Sequence, residues 1–413
     1  MLDVKSSLSL SLNLSNDELD PDAVPRTLFL GSFPPRECGI ATFTDDVVAN
    51  FDRLFDRGSE VIAIDEPGGE TRVYPPAVIA RLRQDDRASY AEVAALVDAH
   101  PAQVLNIQHE YGLFGGEDGE WILDLIERIS KPIVISLHTV LPEPSGHFRE
   151  VTRQLCRRAN AVVVLSLTGK TILADVYGVN DSKIRVVHHG VPDVPFRTTE
   201  EPKESLGYRD RMVISTFGLI NRGKGLEYAI DAMASVVQRH PNALYIILGQ
   251  THPGVRRHEG ESYRELLHER IADLGLSRNV KLIDKYLEFG ELLSYLAATD
   301  VYLTPYLNPV QIVSGTLAYA VGCGKAIIST PYLYAKELLA HGRGFLAPFR
   351  DATAIANAVN DLLDDDALRR STERRAYRFG RRMTWQYVVT EYAKIFCELA
   401  EPSWDRKPAA LLA

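Results

Sequence analysis

Several features that would settle a class at once are scarce in this chain of 413 residues. Its four cysteines, Cys38, Cys156, Cys323 and Cys397, stand far apart with no C-x-x-C pair, which argues against a disulfide framework and the usual zinc spacings. No apolar run reaches the roughly 18 residues that span a bilayer. Residues 1–25 carry Asp3, Asp17, Glu18 and Asp20 where a secretory leader needs a basic start and an apolar core. There is no basic excess either: 46 Lys and Arg against 55 Asp and Glu give −9, the wrong sign for a chain that grips nucleic-acid polymers. Short tandem repeats are missing, which excludes a solenoid. What remains is a soluble globular chain suited to a reducing cytoplasm, with residues 1–25 expected as a flexible N-terminal arm.

From Arg26 onward, short β-branched runs alternate with longer amphipathic stretches, the pattern of βα units around a parallel sheet. Expected strands in the first half are Thr27–Phe33, Glu60–Asp65, Val104–Gln108, Ile133–Leu137, Ala161–Leu165 and Ile184–His188. Three prolines (Pro192, Pro195, Pro202) among dense charges then break the rhythm, and residues 194–211 read as a linker that few contacts cross. The pattern restarts with Val213–Phe217, Leu244–Leu248, Val280–Ile283, Val301–Thr304, Ala326–Ser329 and Phe345–Ala347. The expected organisation is therefore two Rossmann-like α/β domains, 26–193 and 212–382. A closing segment at 383–413 holds a helix at about Thr384 to Leu399 whose apolar stripe could cross back to the first domain.

In doubly wound sheets ligands sit outside the carboxyl ends of the strands, so the loops after strands are where chemistry is sought. After the first strand, PPRECGIATFT places Gly39 at a helix start, where a ligand can approach the backbone and the helix dipole favours an anion. A plain strand-to-helix turn is the alternative. NIQHEYGLFGG puts His109 and Glu110 directly after a strand, suited to hydroxyl contacts or acid-base work, although His109 could equally be a bonded structural histidine. SLHTVLPEP ends another strand on His138. His188 and His189 read instead as braces for the linker.

In the second half STFGLINRGKGLEYAIDA sets Arg222 and Lys224 at a helix start, a compact cationic nest for an anionic group. It is not a Walker loop, because Lys224 is followed by Gly225 where G-x-x-x-x-G-K-[ST] needs a hydroxyl residue. Ser314, Gly315 and Thr316 stand where another helix begins and could hold a second part of a diphosphate; a capped core helix is the bland alternative.

The series GSFPPRECGIATFT, NIQHEYG, SLHTVLPEP, VVHHGV, GLINRGKGLEYAIDA, ILGQTHP, LGLSRNVKLI, AVGCGKAIISTPY and GRGFLAPFRDATAIANAVNDLLDD resembles, over about residues 26 to 400, the retaining family-four glycosyltransferases of the GT-B fold. The resemblance implies two Rossmann-like domains facing a central cleft. It implies a hexosyltransferase without metal or other cofactor, moving mannose or glucose from a nucleotide diphosphate sugar to a hydroxyl of a saccharide or lipid-linked saccharide in polysaccharide biosynthesis. No nucleic-acid partner is implied; the site of action would be the cytoplasm, extending to the inner face of the membrane with peripheral contact there. By position, His138, Arg222 and Lys224 would be catalytic, the two cations neutralising the departing diphosphate. Gly39, Gln311, Ser314, Gly315, Thr316, Gly249 and Tyr286 would bind the donor, and His109 and Glu110 the acceptor or a sugar.

The chain departs from the family at three positions. The family's paired glutamates, the first on donor-sugar hydroxyls and the second on the ribose, are replaced by Gln311 and Tyr319, and an arginine near the first cation by Leu219. Gln311 can still hydrogen-bond a sugar, whereas a phenol cannot replace a carboxylate that accepts two hydroxyls. These changes leave room for a sugar phosphorylase, a nucleotide-sugar epimerase or a non-catalytic sugar-binding relative.

Overall fold

The computed structural model describes residues 19–68 and 71–400; residues 1–18 of the arm expected over 1–25 and the tail beyond residue 400 lie outside the described residues. Residues 19–25, by contrast, are packed on the first domain, with a 3-10 turn at Pro21–Ala23 and a buried Val24. Strands β1 (Thr27–Gly31), β2 (Glu60–Asp65), β3 (Val78–Arg83), β4 (Val104–His109), β5 (Ile133–Leu137), β6 (Ala161–Val164) and β7 (Ile184–Val186) form one sheet, ordered β3-β2-β1-β4-β5-β6-β7. A second sheet has β8 (Met212–Phe217), β9 (Ala243–Leu248), β10 (Val280–Ile283), β11 (Val301–Thr304), β12 (Ala326–Ser329) and β13 (Phe345–Leu346), ordered β10-β9-β8-β11-β12-β13. All pairings are parallel. Helices cover both faces of each sheet, so the inner strands are apolar throughout: every residue of β1, β4, β5 and β9 is buried.

β3 is the strand the sequence pattern hides. It pairs only with β2, at the sheet edge, and alternates Arg81 and Arg83 outward with a buried Leu82. An edge strand needs no continuous apolar run and uses charge to discourage further pairing.

In each sheet the chain leaves the first strand in both directions, β1 flanked by β2 and β4 and β8 by β9 and β11. Both topological switch points therefore open at the carboxyl ends of the strands, and the cleft lies there. The chain crosses between the sheets twice, and the two crossings run side by side. Val191 N donates to Met383 O (2.7 Å) and Trp385 N to Val191 O (3.0 Å). Beyond that crossing, the helix Trp385–Ala400 lies on the first sheet, where Phe396 meets Phe29 and Phe51 edge-on or tilted and Tyr392 Oη sits 2.9 Å from Ser136 Oγ.

The expected linker is docked rather than free. Lys203, on a short helix Glu200–Ser205, places its ammonium 2.7 Å from Asp300 Oδ1, and the same carboxylate accepts from Thr199 Oγ1 and Val213 N. Both charges are buried, so pairing is obligatory. A charged stretch looks solvated in a linear sequence because the partner lies about a hundred residues away.

Candidate active site

An interdomain cavity of about 520 Å³ opens at the carboxyl ends of both sheets. From the first domain it is lined by the start of the helix Gly39–Phe55 (Gly39, Thr42, Asp46), by Glu110 after β4, by His138 and Thr139 after β5, and by His189. The second domain contributes Gly218 and Lys224 after β8, Gly249 after β9, Tyr286 after β10, and Gly315, Thr316 and Tyr319 on the helix Gly315–Gly322. The two walls touch: Gln250 Nε2 donates to Glu37 Oε2 (2.9 Å), and Tyr319 Oη donates to Asp46 Oδ2 (3.1 Å).

One end of the cavity is cationic. Lys224 closes a one-turn 3-10 helix, Arg222–Lys224, and donates from Nζ to Tyr306 Oη (2.7 Å) while lying 4.3 Å from that ring's centre. Among the described residues no carboxylate pairs with it. Burial lowers its pKa from 10.5 to about 8, so the ammonium is still charged at neutral pH. Tyr306 Oη is also 2.7 Å from Thr316 Oγ1, which ties the lysine to the start of the helix Gly315–Gly322. Ser314 caps that helix, accepting from Leu317 N (3.3 Å). A cation without a counter-ion beside the positive end of a helix is a site for an anion.

The backbone is cut close around this pole. Gly249 has φ +141°, and a Cβ there would lie 2.2 Å from Gly218 O, so only glycine lets β9 exit against β8.

The wall from the first domain is acidic and imidazole-rich but carries no net cation. His138 is buried, with its pKa pushed down to about 3, first by burial and then by the neighbouring His189 and His109. The neutral ring donates from Nε2 to Gln108 Oε1 (3.0 Å), which leaves Nδ1 as an acceptor. His189 is held at about 4 by burial and contacts Gly190 O through Nδ1 (2.7 Å). Glu110 accepts from Thr139 Oγ1 (2.6 Å) and Tyr111 N (3.0 Å), yet burial still raises its carboxyl above the usual range. Asp46 is raised to about 6, mainly by burial.

Four expected site residues stay out of the cavity lining, the first being Ser314, whose hydroxyl is engaged in the helix cap at Leu317 N. His109 is fully buried inside the first domain, stacked on Phe114 and edge-on to Tyr111, with neither ring nitrogen bonded. It is the last residue of β4 and points to the face opposite that of a cavity residue, as strand alternation allows. Arg222 turns outward, 3.4 Å from Glu259 and over the Tyr263 ring at 5.3 Å, because successive residues of a tight turn diverge. Gln311 folds its amide onto Val313 O (2.8 Å) instead of toward a sugar.

Asp46 and His189, by contrast, line the cavity without having been singled out as site residues. Gly39, Thr42 and Asp46 recur at helical spacing on the cavity face, a periodicity that could have revealed Asp46. His189, read as a brace, instead reaches toward the helix Gly315–Gly322: its Nε2 lies 2.8 Å from where a Cβ on Gly315 would be. No local pattern signals that contact.

Among possible metal ligands, Glu117, Asp118 and His147 cluster outside the cavity. Both imidazole nitrogens of His147 already face carboxylates, Asp118 at 3.0 Å and Glu120 at 3.1 Å.

The chain is 27% identical over 283 residues to a D-inositol 3-phosphate glycosyltransferase of Corynebacterium urealyticum, covering 64% of each chain. It is 23% identical over 252 residues to an uncharacterized glycosyltransferase of Methanocaldococcus jannaschii, covering 60% of this chain and 61% of that one. The match thus spans about three fifths of either relative's length. Among solved structures, Anabaena Alr3699/HepE in complex with UDP superposes with a TM-score of 0.73 at 19% identity, over 91% of this chain and all of that one, a likeness of fold. Two family models match end to end, Glycosyltransferase Family 4 over residues 46–193 and Glycosyl transferases group 1 over residues 197–379. With each half of the chain matched in the order in which its two sheets are built, the protein belongs to the family-four glycosyltransferases of the GT-B fold.

Proposed function

We propose that this enzyme moves a hexose, mannose or glucose, from a nucleotide diphosphate sugar to a hydroxyl of a saccharide or lipid-linked saccharide, with retention at the anomeric carbon and without a metal. The observation that carries the reading is Lys224: a buried-side cation with no carboxylate partner among the described residues, aimed at the start of the helix Gly315–Gly322. Negative charge develops on the departing diphosphate, and Lys224 with the amides of Gly315 and Thr316 is a fixed set of donors for it. A metal-free site needs such fixed charge.

Among the described residues that line the cavity the hydroxyl–carboxylate contacts are Thr139 with Glu110 and Tyr319 with Asp46, and neither is a serine or cysteine nucleophile set on a base. The acceptor hydroxyl therefore attacks from the side that the diphosphate leaves, and its proton passes to the departing phosphate oxygen. His138 enters as a neutral imidazole whose free Nδ1 accepts from a sugar hydroxyl, and Glu110 faces the acceptor. The donor class is supported by the UDP complex of the Anabaena neighbour, and a mannosyl donor by a 27% identical phosphatidyl-myo-inositol mannosyltransferase of Mycolicibacterium smegmatis. The reading includes action in the cytoplasm at or near the membrane's inner face. All four cysteines are free thiols, and no described helix is long and apolar enough to cross a membrane.

The test is a panel of nucleotide sugars with release of nucleoside diphosphate as the readout. Release from at least one donor, accelerated by an added saccharide, is expected; silence across the panel would sink the reading. A second reading, a sugar phosphorylase, is favoured by the phenol of Tyr319 on the cavity wall, and it requires inorganic phosphate to bind more tightly than a nucleoside diphosphate.

A further inference from the structure

We propose, resting on the transferase reading above, that Asp46 and Tyr319 form a two-domain clamp for a pair of adjacent hydroxyls on the donor, so that the donor is fully held only when the cleft is closed. Two carboxylates line the cavity, Asp46 and Glu110. Both carboxylate oxygens of Glu110 are engaged within its own domain, by Thr139 Oγ1 and Tyr111 N. Asp46 is bonded through one oxygen, Oδ2, and its partner comes from the other domain.

The pair has the chemistry of a diol site. A carboxylate accepts from two neighbouring hydroxyls at once, while a phenol that donates to the carboxylate keeps lone pairs for a ligand hydroxyl. It also stands at the right remove from the anion pole. Tyr319 follows Gly315 and Thr316 by about one helical turn, which sets it roughly 5 Å farther along the cavity wall, the width of one sugar ring. Phe217 and Phe289 flank the phenol at ring-centre distances of 6.2 and 6.4 Å and keep that side apolar. Lys224, Gly315 and Thr316 all belong to the second domain, so the anion pole exists in an open cleft as well. The diol clamp does not, because opening the cleft separates Asp46 from Tyr319.

The hydroxyls could be those of the nucleoside ribose or those of the transferred hexose, and titration calorimetry on the full chain separates them. The probes are UDP and GDP, their 2′,3′-dideoxy counterparts, and UDP-glucose and GDP-mannose. Removing a diol bonded to a carboxylate is expected to weaken binding about tenfold or more. If the ribose is held, wild type loses that factor between UDP or GDP and the dideoxy form. Asp46→Asn then loses it on the parent nucleotide and shows no further loss with the dideoxy form. If the hexose is held, free nucleoside diphosphates bind both proteins alike and only the nucleotide sugar loses affinity in Asp46→Asn. Tyr319→Phe, which keeps the ring and its packing, is expected to shift affinity in the same direction. Unchanged affinity of both variants for every probe, with normal melting, overturns the clamp and leaves the transferase reading standing; a wild type that binds none of the probes overturns both.

Discussion

Replacing Lys224 by Met should separate catalysis from stability. The ammonium is the fixed positive charge nearest the expected diphosphate, and removing one preorganised donor from a developing oxyanion commonly costs a factor of about 100 to 1000 in turnover, or roughly 3 to 4 kcal/mol. Stability should move the other way. The folded-state pKa of about 8 lies below the free value of 10.5, so folding holds a charged lysine at a cost below pH 8 and sheds that cost as pH rises toward 10.5. That difference corresponds to at most about 3 kcal/mol, reduced by partial exposure and by the lost bond to Tyr306. Lys224→Met at pH 7 is therefore expected to melt at the wild-type temperature or a few degrees higher, and its stability should lose the wild type's rise between pH 8 and 10. Nucleoside diphosphate binding by wild type should weaken as pH passes 8 and the ammonium deprotonates. Turnover within threefold of wild type on the best donor, or a melting point lowered by more than about 5 °C, would refute the assignment of Lys224 as an unpaired anion site.

Three further substitutions address the scaffold around that pole. Gly249→Ala would drive a Cβ to within 2.2 Å of Gly218 O, so a loss of several kcal/mol, or a drop in donor affinity as the loop backs away, is expected in thermal unfolding and binding assays; wild-type behaviour in both would show that the approach is softer than it looks. His109→Leu removes two buried, unbonded nitrogens and should leave turnover within twofold while holding or raising the melting temperature, whereas a hundredfold loss of turnover would return His109 to the site. Lys203→Met strands the buried Asp300 carboxylate and should cost about 3 to 5 kcal/mol in urea unfolding, with Lys203→Met/Asp300→Asn recovering much of it; equal stabilities would mean that the pair is solvated.

What could be read in advance follows from the physics of each feature. Strands covered on both faces must be continuously apolar, so the inner strands of both sheets stand out as short β-branched runs, and β3 escapes because an edge strand answers to a different rule. Loops after strands are likewise visible, which is why Gly39, Glu110, His138, Lys224, Gly249, Tyr286, Gly315 and Thr316 all reach the cavity. Orientation is harder. Glu110 and His109 are neighbours, as Lys224 and Arg222 nearly are, yet one of each pair faces the cavity and the other is turned away, since a single residue's shift along a strand or tight turn reverses direction. The least legible contacts join distant parts of the chain: Lys203 with Asp300, and Asp46 with Tyr319, 273 residues apart. Each residue of such a pair reads alone as an ordinary surface acid, base or core tyrosine. The substitution of a phenol at position 319 looks like a lost carboxylate along the sequence, but across the cleft it meets one supplied by the other domain. That placement converts what local comparison scores as a defect into a contact that exists only when the two domains come together.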